Sequence, residues 1–502
     1  MGGSKVFSST RPFTVRDACP FVVHFFSPEK GDVSSMKAQN AEKNRLRSLP
    51  AMDSLLGMPD MEPFLESMGR EAVKTVLGDA MDSLRKKILE GEGAEPSAES
   101  VLTLALPVLA ARAGKSLRPV VNATGVVIHT NLGRSCLAPE ARDAVLAVAD
   151  RYSTLEYDIS EGKRGHRSDH VEWLLKEITG ADAGLVVNNN AGAVLLMLAG
   201  LCAGKEVIVS RGELVEIGGS FRIPDIMAFS GARLVEVGST NRTHLKDYGN
   251  AVTENTAALL KVHPSNFRME GFTSSVPREE LNGLAKERGL LFLEDLGSGT
   301  LIDMAPFGLK GEPTVSSCLR AGVDLVTFSG DKMLGGPQIG GLAGKKEIVD
   351  RLRSYPLLRA LRVDKMTLAA FEATLRLYLS GRHLRIPTLA MLNETGDSLR
   401  KKARRLSDKL KRILPAGTVS LTEADDAVGG GAFPAERLPG WAVGIVLESV
   451  GSAGTVLSLL RTLPVPVIAG ARDNVVLLHV RTLLPGDEER ICDAFRAIAS
   501  GR

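Results

Sequence analysis

The sequence predicts an α/β protein in which a mainly parallel sheet carries helices on both faces, with a small helical domain before it and a small α+β domain after it. Three observations predict this. Six apolar, strand-length runs recur between residues 183 and 328, each rich in branched side chains and closed by Gly, Pro or polar residues. Helical periodicities alternate with these runs, as expected where parallel strands are buried on both faces. A chain of 502 residues with 44% hydrophobic content is also long enough for several packed layers and more than one domain.

Residues 1–41 mix Ser, Pro, aromatic and charged residues without periodicity. They read as a disordered leader, or as sequence upstream of a true start at Met36. Asp17, Glu29 and Asp32 argue against a secretory or organellar signal. Residues 42–115 carry short helical segments, 61–77 and 80–89 among them, separated by Pro and Gly breakers and the acidic linker 90–99. Residues 116–386 form the α/β core, with strands at 183–188, 206–210, 234–237, 257–263, 290–294 and 325–328. Residues 387–502 read as the α+β domain, with a basic helix at 398–410, a glycine turn at 429–431 and strands near 442–447 and 475–480.

Composition excludes several classes. A net charge of +3 is too small to hold nucleic acid through global charge alone. Cys19, Cys136, Cys202, Cys318 and Cys492 are scattered without a CxxC pair or a Cys/His cluster, so neither disulfides nor a metal site is expected. No apolar run reaches the ~18 residues of a membrane helix. The expectation is a soluble, cytoplasmic protein without a membrane or metal partner.

Three local patterns carry chemistry. Ser329-Gly-Asp331-Lys332-Met-Leu-Gly335-Gly336-Pro337 directly follows a strand, where open α/β sheets bind ligands. Lys332 there suits a Schiff base with a cofactor aldehyde, and Ser329 a hydrogen bond to the cofactor's phosphate; alone, such a lysine serves equally as a surface residue in a turn. Asp295 ends an apolar strand and suits the protonated ring nitrogen of pyridoxal phosphate (PLP), although by itself it reads better as a helix cap. Asn190-Ala191-Gly192 opens an apolar helix whose free N–H groups make an anion cradle. In the order cradle, acidic strand end and lysine loop, the three resemble the layout of fold type I PLP enzymes. His263 and Asn266 follow a strand and are candidates to meet the cofactor ring or its hydroxyl, while Arg164 and Arg167 are candidates for the substrate entrance; an ordinary capping or surface role fits each of the four equally well. His166 reads as solvated.

Longer motifs narrow the resemblance. Arg118-Pro-Val-Val-Asn-Ala-Thr-Gly-Val-Val-Ile-His-Thr-Asn-Leu-Gly-Arg134, Ser210-Arg-Gly-Glu-Leu-Val-Glu-Ile-Gly-Gly219, Gly238-Ser-Thr-Asn-Arg-Thr-His244 and Leu357-Leu-Arg-Ala-Leu-Arg-Val-Asp-Lys-Met-Thr367 resemble the bacterial L-seryl-tRNA(Sec) selenium transferases, or selenocysteine synthases, and the likeness spans nearly the whole chain. The resemblance implies that Lys332 carries PLP and that seryl-tRNA(Sec) is converted to selenocysteinyl-tRNA(Sec) through an aminoacrylyl-tRNA intermediate, with selenophosphate as donor. It also implies that Arg134, Arg359 and Arg362 hold the donor's phosphate, that residues 42–115 grip the tRNA, and that the chain assembles as a homodecamer of dimers. Asp331, beside the lysine, is a candidate to orient or protonate. Arginine's planar fork suits phosphate oxygens, and Arg359 and Arg362 share a face if their segment is helical. Two rivals remain: a PLP lyase for a small amino acid or amino-sugar acid, for which the helical domain has no obvious use, and a silent tRNA-binding scaffold, against which Lys332 and Asp295 argue.

Overall fold

The computed structural model describes residues 46–90, 94–217, 221–434 and 436–500. The reading of residues 1–41 as a leader lies outside them. The described residues divide into two compact units, the first ending at Arg118 and the second beginning at Pro119.

In the first unit, helices α1 (Met52–Leu56), α2 (Glu62–Met68), α3 (Arg70–Leu89) and α4 (Ala98–Ala113) surround their own apolar core. The two helical segments expected at 61–77 and 80–89 are divided differently. Gly69, at φ 78°, separates α2 from α3, and α3 runs on through Gly78. An interior glycine costs about 1 kcal/mol of helix propensity. Val73, Val76, Leu77, Ala80, Met81, Leu84 and Ile88 offset it, because their spacing puts all seven on one buried face. Ser97 caps α4, its Oγ accepting from the Ser100 N–H at 3.1 Å.

The second unit begins with β1 (Val121–Ala123), β2 (Val126–Ile128) and the ribbon of β3 (Tyr157–Asp158) and β4 (Lys163–Arg164). Strands β5 (Ala183–Val187) and β6 (Glu206–Ser210) follow, then the ribbon of β7 (Glu216–Ile217) and β8 (Phe221–Arg222). Next come β9 (Arg233–Val237), β10 (Thr256–Val262), β11 (Leu291–Gly297), β12 (Leu325–Ser329) and β13 (Gly340–Gly344). The last strands are β14 (Val419–Gly429), β15 (Arg437–Ile445), β16 (Val467–Arg472) and β17 (Val475–His479). Seven strands form the central sheet in the order β5-β13-β12-β11-β10-β6-β9. All run parallel except β13, which is antiparallel to both neighbours.

Each of the six apolar runs expected as a strand is one, and they bury apolar clusters on both sides of the sheet. β13 escapes sequence patterning because three of its five residues are glycine. The bare backbone serves packing: a Cβ on Gly340 would lie 2.2 Å from the Asn189 carbonyl oxygen. The second sheet, β1-β16-β17-β15-β14-β2, has a core of its own. Its edge strands β1 and β2 come from the segment assigned above to the α/β core, so sheet membership departs from a boundary at residue 116. Two three-residue strands are too short to show which sheet they join.

Leu77→Ala removes a fully buried side chain from the first unit and is expected to destabilise it by about 2–5 kcal/mol. Limited proteolysis of the full chain would then cut first within residues 46–118, while the second unit resists at wild-type concentrations of protease.

Candidate active site

The carboxyl ends of β5, β10, β11 and β12 lie along one edge of the central sheet, and the candidate residues gather there. Lys332 follows β12 in a loop closed by hydrogen bonds from Gly330 N–H to the Ile339 carbonyl at 3.0 Å and from Gly336 N–H to the Gly330 carbonyl at 2.8 Å. Its side chain is confined: the residue is 7% exposed, and Gly431, just beyond β14, lies so close that a Cβ there would sit 2.9 Å from Nζ. The glycine turn expected at 429–431 is thus the wall of the lysine's channel, which local sequence does not reveal. Burial pushes the Lys332 amine below the ordinary lysine value of 10.5; the Asp295 carboxylate opposes this and Arg134 adds to it. A larger share of neutral amine follows, the form able to attack an aldehyde or take a proton.

Asp295 is 2% exposed and lies within β11, between Val262 of β10 and Thr327 of β12 in register. Asn190 Nδ2 donates to its Oδ1 at 2.8 Å and Thr327 Oγ1 to the same oxygen at 3.0 Å. Burial raises its pKa, while these two donors and the Lys332 charge work the other way. Among the described residues Asp295 has no ion-pair partner and Asn190 Oδ1 has no hydrogen-bond partner. A buried carboxylate served by two neutral donors is half of a charge pair. A protonated ring nitrogen would supply the other half, so the residues present fit the ring of PLP.

The phosphate end fits as well. Asn189 caps the helix Asn190–Cys202, its Oδ1 accepting from Gly192 N–H at 2.8 Å. Gly192 N–H is therefore occupied, and the N–H groups of Asn190 and Ala191 remain for an anion. Gly192 contributes its bareness, since a Cβ would lie 3.1 Å from Leu361 Cδ2. Ser329 is buried at the end of β12 and its hydroxyl makes no hydrogen bond among the described residues.

His263 lies beside Asp295, its N–H donating to the Asp295 carbonyl at 2.9 Å and its Nε2 sitting 3.0 Å from Glu312 Oε2. Asn266 is instead exposed and donates to the Glu216 carbonyl at 2.8 Å. Ser265, missed in the sequence reading, is the residue of this turn that is buried with an unpartnered hydroxyl. Arg134, at φ 62°, reaches Asp331 Oδ2 at 2.5 Å, and Ser135 N–H donates to the Asp331 carbonyl at 3.2 Å. Asp331 thereby ties the Arg134 loop to the lysine loop.

The other arginines gather elsewhere in the chain. Arg359, on the helix Leu357–Leu361, and Arg362, which ends it, line a cavity of about 310 Å³ together with Arg167, Arg353 and Glu156. Glu156 accepts from Arg167 Nε at 2.7 Å and Arg164 Nη2 at 3.0 Å, and lies 3.5 Å from Arg362 Nη1. These arginine bonds hold its carboxyl below the usual range against a smaller opposing effect of burial. Arg134 lines a different, smaller cavity beside His129 and Cys136. His166 is exposed, as expected.

Residues 120–484 match the family "L-seryl-tRNA selenium transferase", and residues 46–85 match "Selenocysteine synthase N terminal". The chain belongs to the L-seryl-tRNA selenium transferase family. Its relatives include the L-seryl-tRNA(Sec) selenium transferase of Moorella thermoacetica, 50% identical over 90% of this chain and 96% of that protein. The Clostridium botulinum strain Okra enzyme of the same name is 47% identical over 91% of this chain and 99% of its own length. Among solved structures, a D-glucosaminate-6-phosphate ammonia-lyase superposes with a TM-score of 0.55 at 22% identity, over 77% of this chain and 96% of that one, a likeness of fold. The expected transferase architecture is thus the one found, and the Lys332 loop and the arginine-lined cavity both lie inside the segment matched to the selenium transferase family.

Lys332→Ala is expected to abolish the visible absorbance of PLP-loaded protein. In the wild type, the pH at which loading of the apo-protein reaches half its maximal rate should fall below 10.5, because the reactive amine is neutral above its lowered pKa. Gly431→Ala, whose methyl group overlaps the Lys332 chain, should slow loading at least tenfold in the same absorbance assay.

Proposed function

We propose that this protein converts L-seryl-tRNA(Sec) to L-selenocysteinyl-tRNA(Sec) with PLP held on Lys332 and selenophosphate as the selenium donor. One observation carries the chemistry: a buried amine of lowered basicity, in the loop after β12, lies within electrostatic reach of a buried carboxylate on the neighbouring strand β11. Family membership and the named relatives support the substrate. When bound, the cofactor supplies an electron sink that acidifies the seryl α-proton and lets the β-hydroxyl depart, so that selenium can add at the β-carbon.

The chain's own groups do the rest. Asp295 holds the proton on the ring nitrogen, and Asn190 and Thr327 fix its carboxylate. The N–H groups of Asn190 and Ala191 and the Ser329 hydroxyl anchor the cofactor phosphate at the helix start. His263, held by Glu312 at 3.0 Å, would meet the cofactor ring. The Lys332 amine takes the α-proton and returns one at the end of the cycle. Asp331 keeps Arg134 beside that amine.

Arg134, Arg359 and Arg362 hold the donor's phosphate in this reading. Arg359 is exposed and makes no ion pair among the described residues, so its fork is open to an anion. Because Arg134 and the Arg359–Arg362 pair line separate cavities of one chain, a shared donor calls for a second copy, in keeping with a homodecamer built from dimers. The first unit, with Arg85, Lys86 and Lys87 on an exposed face of α3, grips the tRNA by shape and phosphate contact. In this reading the helical domain at 42–115 serves recognition, while the PLP core at 116–386 and the α+β domain at 387–502, through Gly431, share the chemistry. An enzyme acting on an aminoacyl-tRNA works in the cytoplasm, and among the described residues no helix is long and apolar enough to cross a membrane.

Purified protein given seryl-tRNA(Sec) and selenophosphate should form selenocysteinyl-tRNA(Sec), and Lys332→Ala should form none. Arg134→Met should lower kcat/KM for selenophosphate by about 10²-fold, the usual loss for one preorganised donor. A yellow, PLP-loaded wild type that makes no product would replace this reading with a small-molecule lyase.

A further inference from the structure

Beside the lysine site lies the largest of the cavities described here, about 670 Å³, within the range of pockets that take small molecules. His263, Glu312, Phe267, Phe433, Arg268 and Lys310 are among the residues that line it. Two connections tie it to the chemistry. His263 donates its N–H to the Asp295 carbonyl, and Phe433 stands two residues past Gly431, the wall of the Lys332 channel. Glu312 is also among the charges that act on Lys332.

The buried polar groups of this cavity are mostly satisfied within the fold. Lys261 Nζ pairs with Glu213 Oε1 at 2.8 Å and donates to the Val276 carbonyl at 3.1 Å, while Glu213 Oε2 accepts from Val262 N–H at 3.0 Å. Glu312 is the exception. Its side chain is 5% exposed, Oε2 is taken by His263, and Oε1 is buried with no partner among the described residues. A buried carboxylate oxygen without a protein donor is costly, and an O–H or N–H from a ligand or an ordered water in the cavity would offset that cost. The rim carries two exposed cations: Arg268, which pairs with Glu270 at 3.5 Å and Glu436 at 3.7 Å, and Lys310, which makes no ion pair among the described residues.

We infer that this cavity receives the 3′-terminal adenosine of the aminoacyl-tRNA, with Glu312 Oε1 accepting from the free ribose hydroxyl beside the seryl ester. The inference rests on the substrate proposed above. A seryl group whose α-carbon meets Lys332 carries its ribose only a few bonds away, so the nucleoside must lodge in space adjoining the lysine. Phe267 and Phe433 offer faces for a base, Arg268 and Lys310 meet the nucleotide's phosphate, and the buried acceptor distinguishes a ribonucleotide from its deoxy counterpart.

The test uses the PLP-loaded full-length enzyme and adenosine 5′-monophosphate. The monophosphate should inhibit selenocysteinyl-tRNA formation competitively with seryl-tRNA, and 2′-deoxyadenosine 5′-monophosphate should bind about tenfold more weakly, the loss of one hydrogen bond to a charged group. Glu312→Ala should raise KM for seryl-tRNA about tenfold, erase the difference between the two nucleotides, and leave the visible absorbance of the cofactor in place. Thr273→Trp, an exposed position on the cavity wall, should raise KM without changing kcat. If wild type turns over seryl-tRNA but neither nucleotide competes, or if Glu312→Ala still discriminates between them, the pocket assignment falls while the reaction stands. If Thr273→Trp alters the sedimentation coefficient and not KM, the cavity is an interface with a second copy and the assignment is overturned. Nucleotide binding by an enzyme that makes no selenocysteinyl-tRNA would overturn the reaction itself.

Discussion

Two opposite charges, each more than nine-tenths buried at the carboxyl edge of a parallel sheet, set the terms for everything else in this structure. Removing an ammonium and a carboxylate from water costs several kcal/mol each, and they approach without forming a close ion pair. Each therefore stays poised: the Lys332 amine loses basicity and the Asp295 carboxyl gains it, both through burial. A cofactor that reacts with the one and presents a cationic ring to the other relieves both penalties together. The proposed role of this site in holding PLP gives the fold a reason to tolerate so costly an arrangement.

Holding those charges in place takes both sheets of the second unit. β11 and β12 fix Asp295 and the start of the lysine loop, and β13, antiparallel between β12 and β5, brings the Asn189 cap against the same loop. The second sheet contributes from the other side through Gly431, which admits Lys332 because it has no side chain. Behind it, Asp426 of β14 accepts from Arg481 Nε at 2.8 Å and meets His479 Nδ1 at 2.7 Å, a buried cluster that fixes the strand leading to Gly431. The loop after β2 supplies Arg134, whose bond to Asp331 joins that sheet to the lysine loop a second time.

Much of this was legible in the chain. The apolar runs that became β5, β6, β10, β11 and β12 share a composition that burial on both faces demands, β9 at the sheet edge keeps Arg233 and Glu236 exposed, and the ends of all six fell within a few residues of expectation. β11 runs two residues past Asp295, because the carboxylate sits inside the ladder between Val262 and Thr327 and not at its end. β13 was illegible because glycine has no side chain to show a period. In the turn after β10, Asn266 looked the more polar candidate, yet the chain points Ser265 inward and leaves Asn266 to the Glu216 carbonyl.

The arginines show the same division. Sequence by itself determined which chemistry was present: a lysine just after one apolar strand, an aspartate in another, a helix start able to hold an anion, and arginines in motifs that resemble one enzyme family. That information is local, because a strand's burial, a helix cap and a motif each involve neighbours in the chain. Only the tertiary structure decided which residues meet. It set Arg134 against Asp331 across 197 positions, gathered Arg164, Arg167 and Arg362 around Glu156, and left Glu312 Oε1 alone in a buried wall. Pairing, burial and the lack of a partner arise from packing between distant segments, and no local pattern records them.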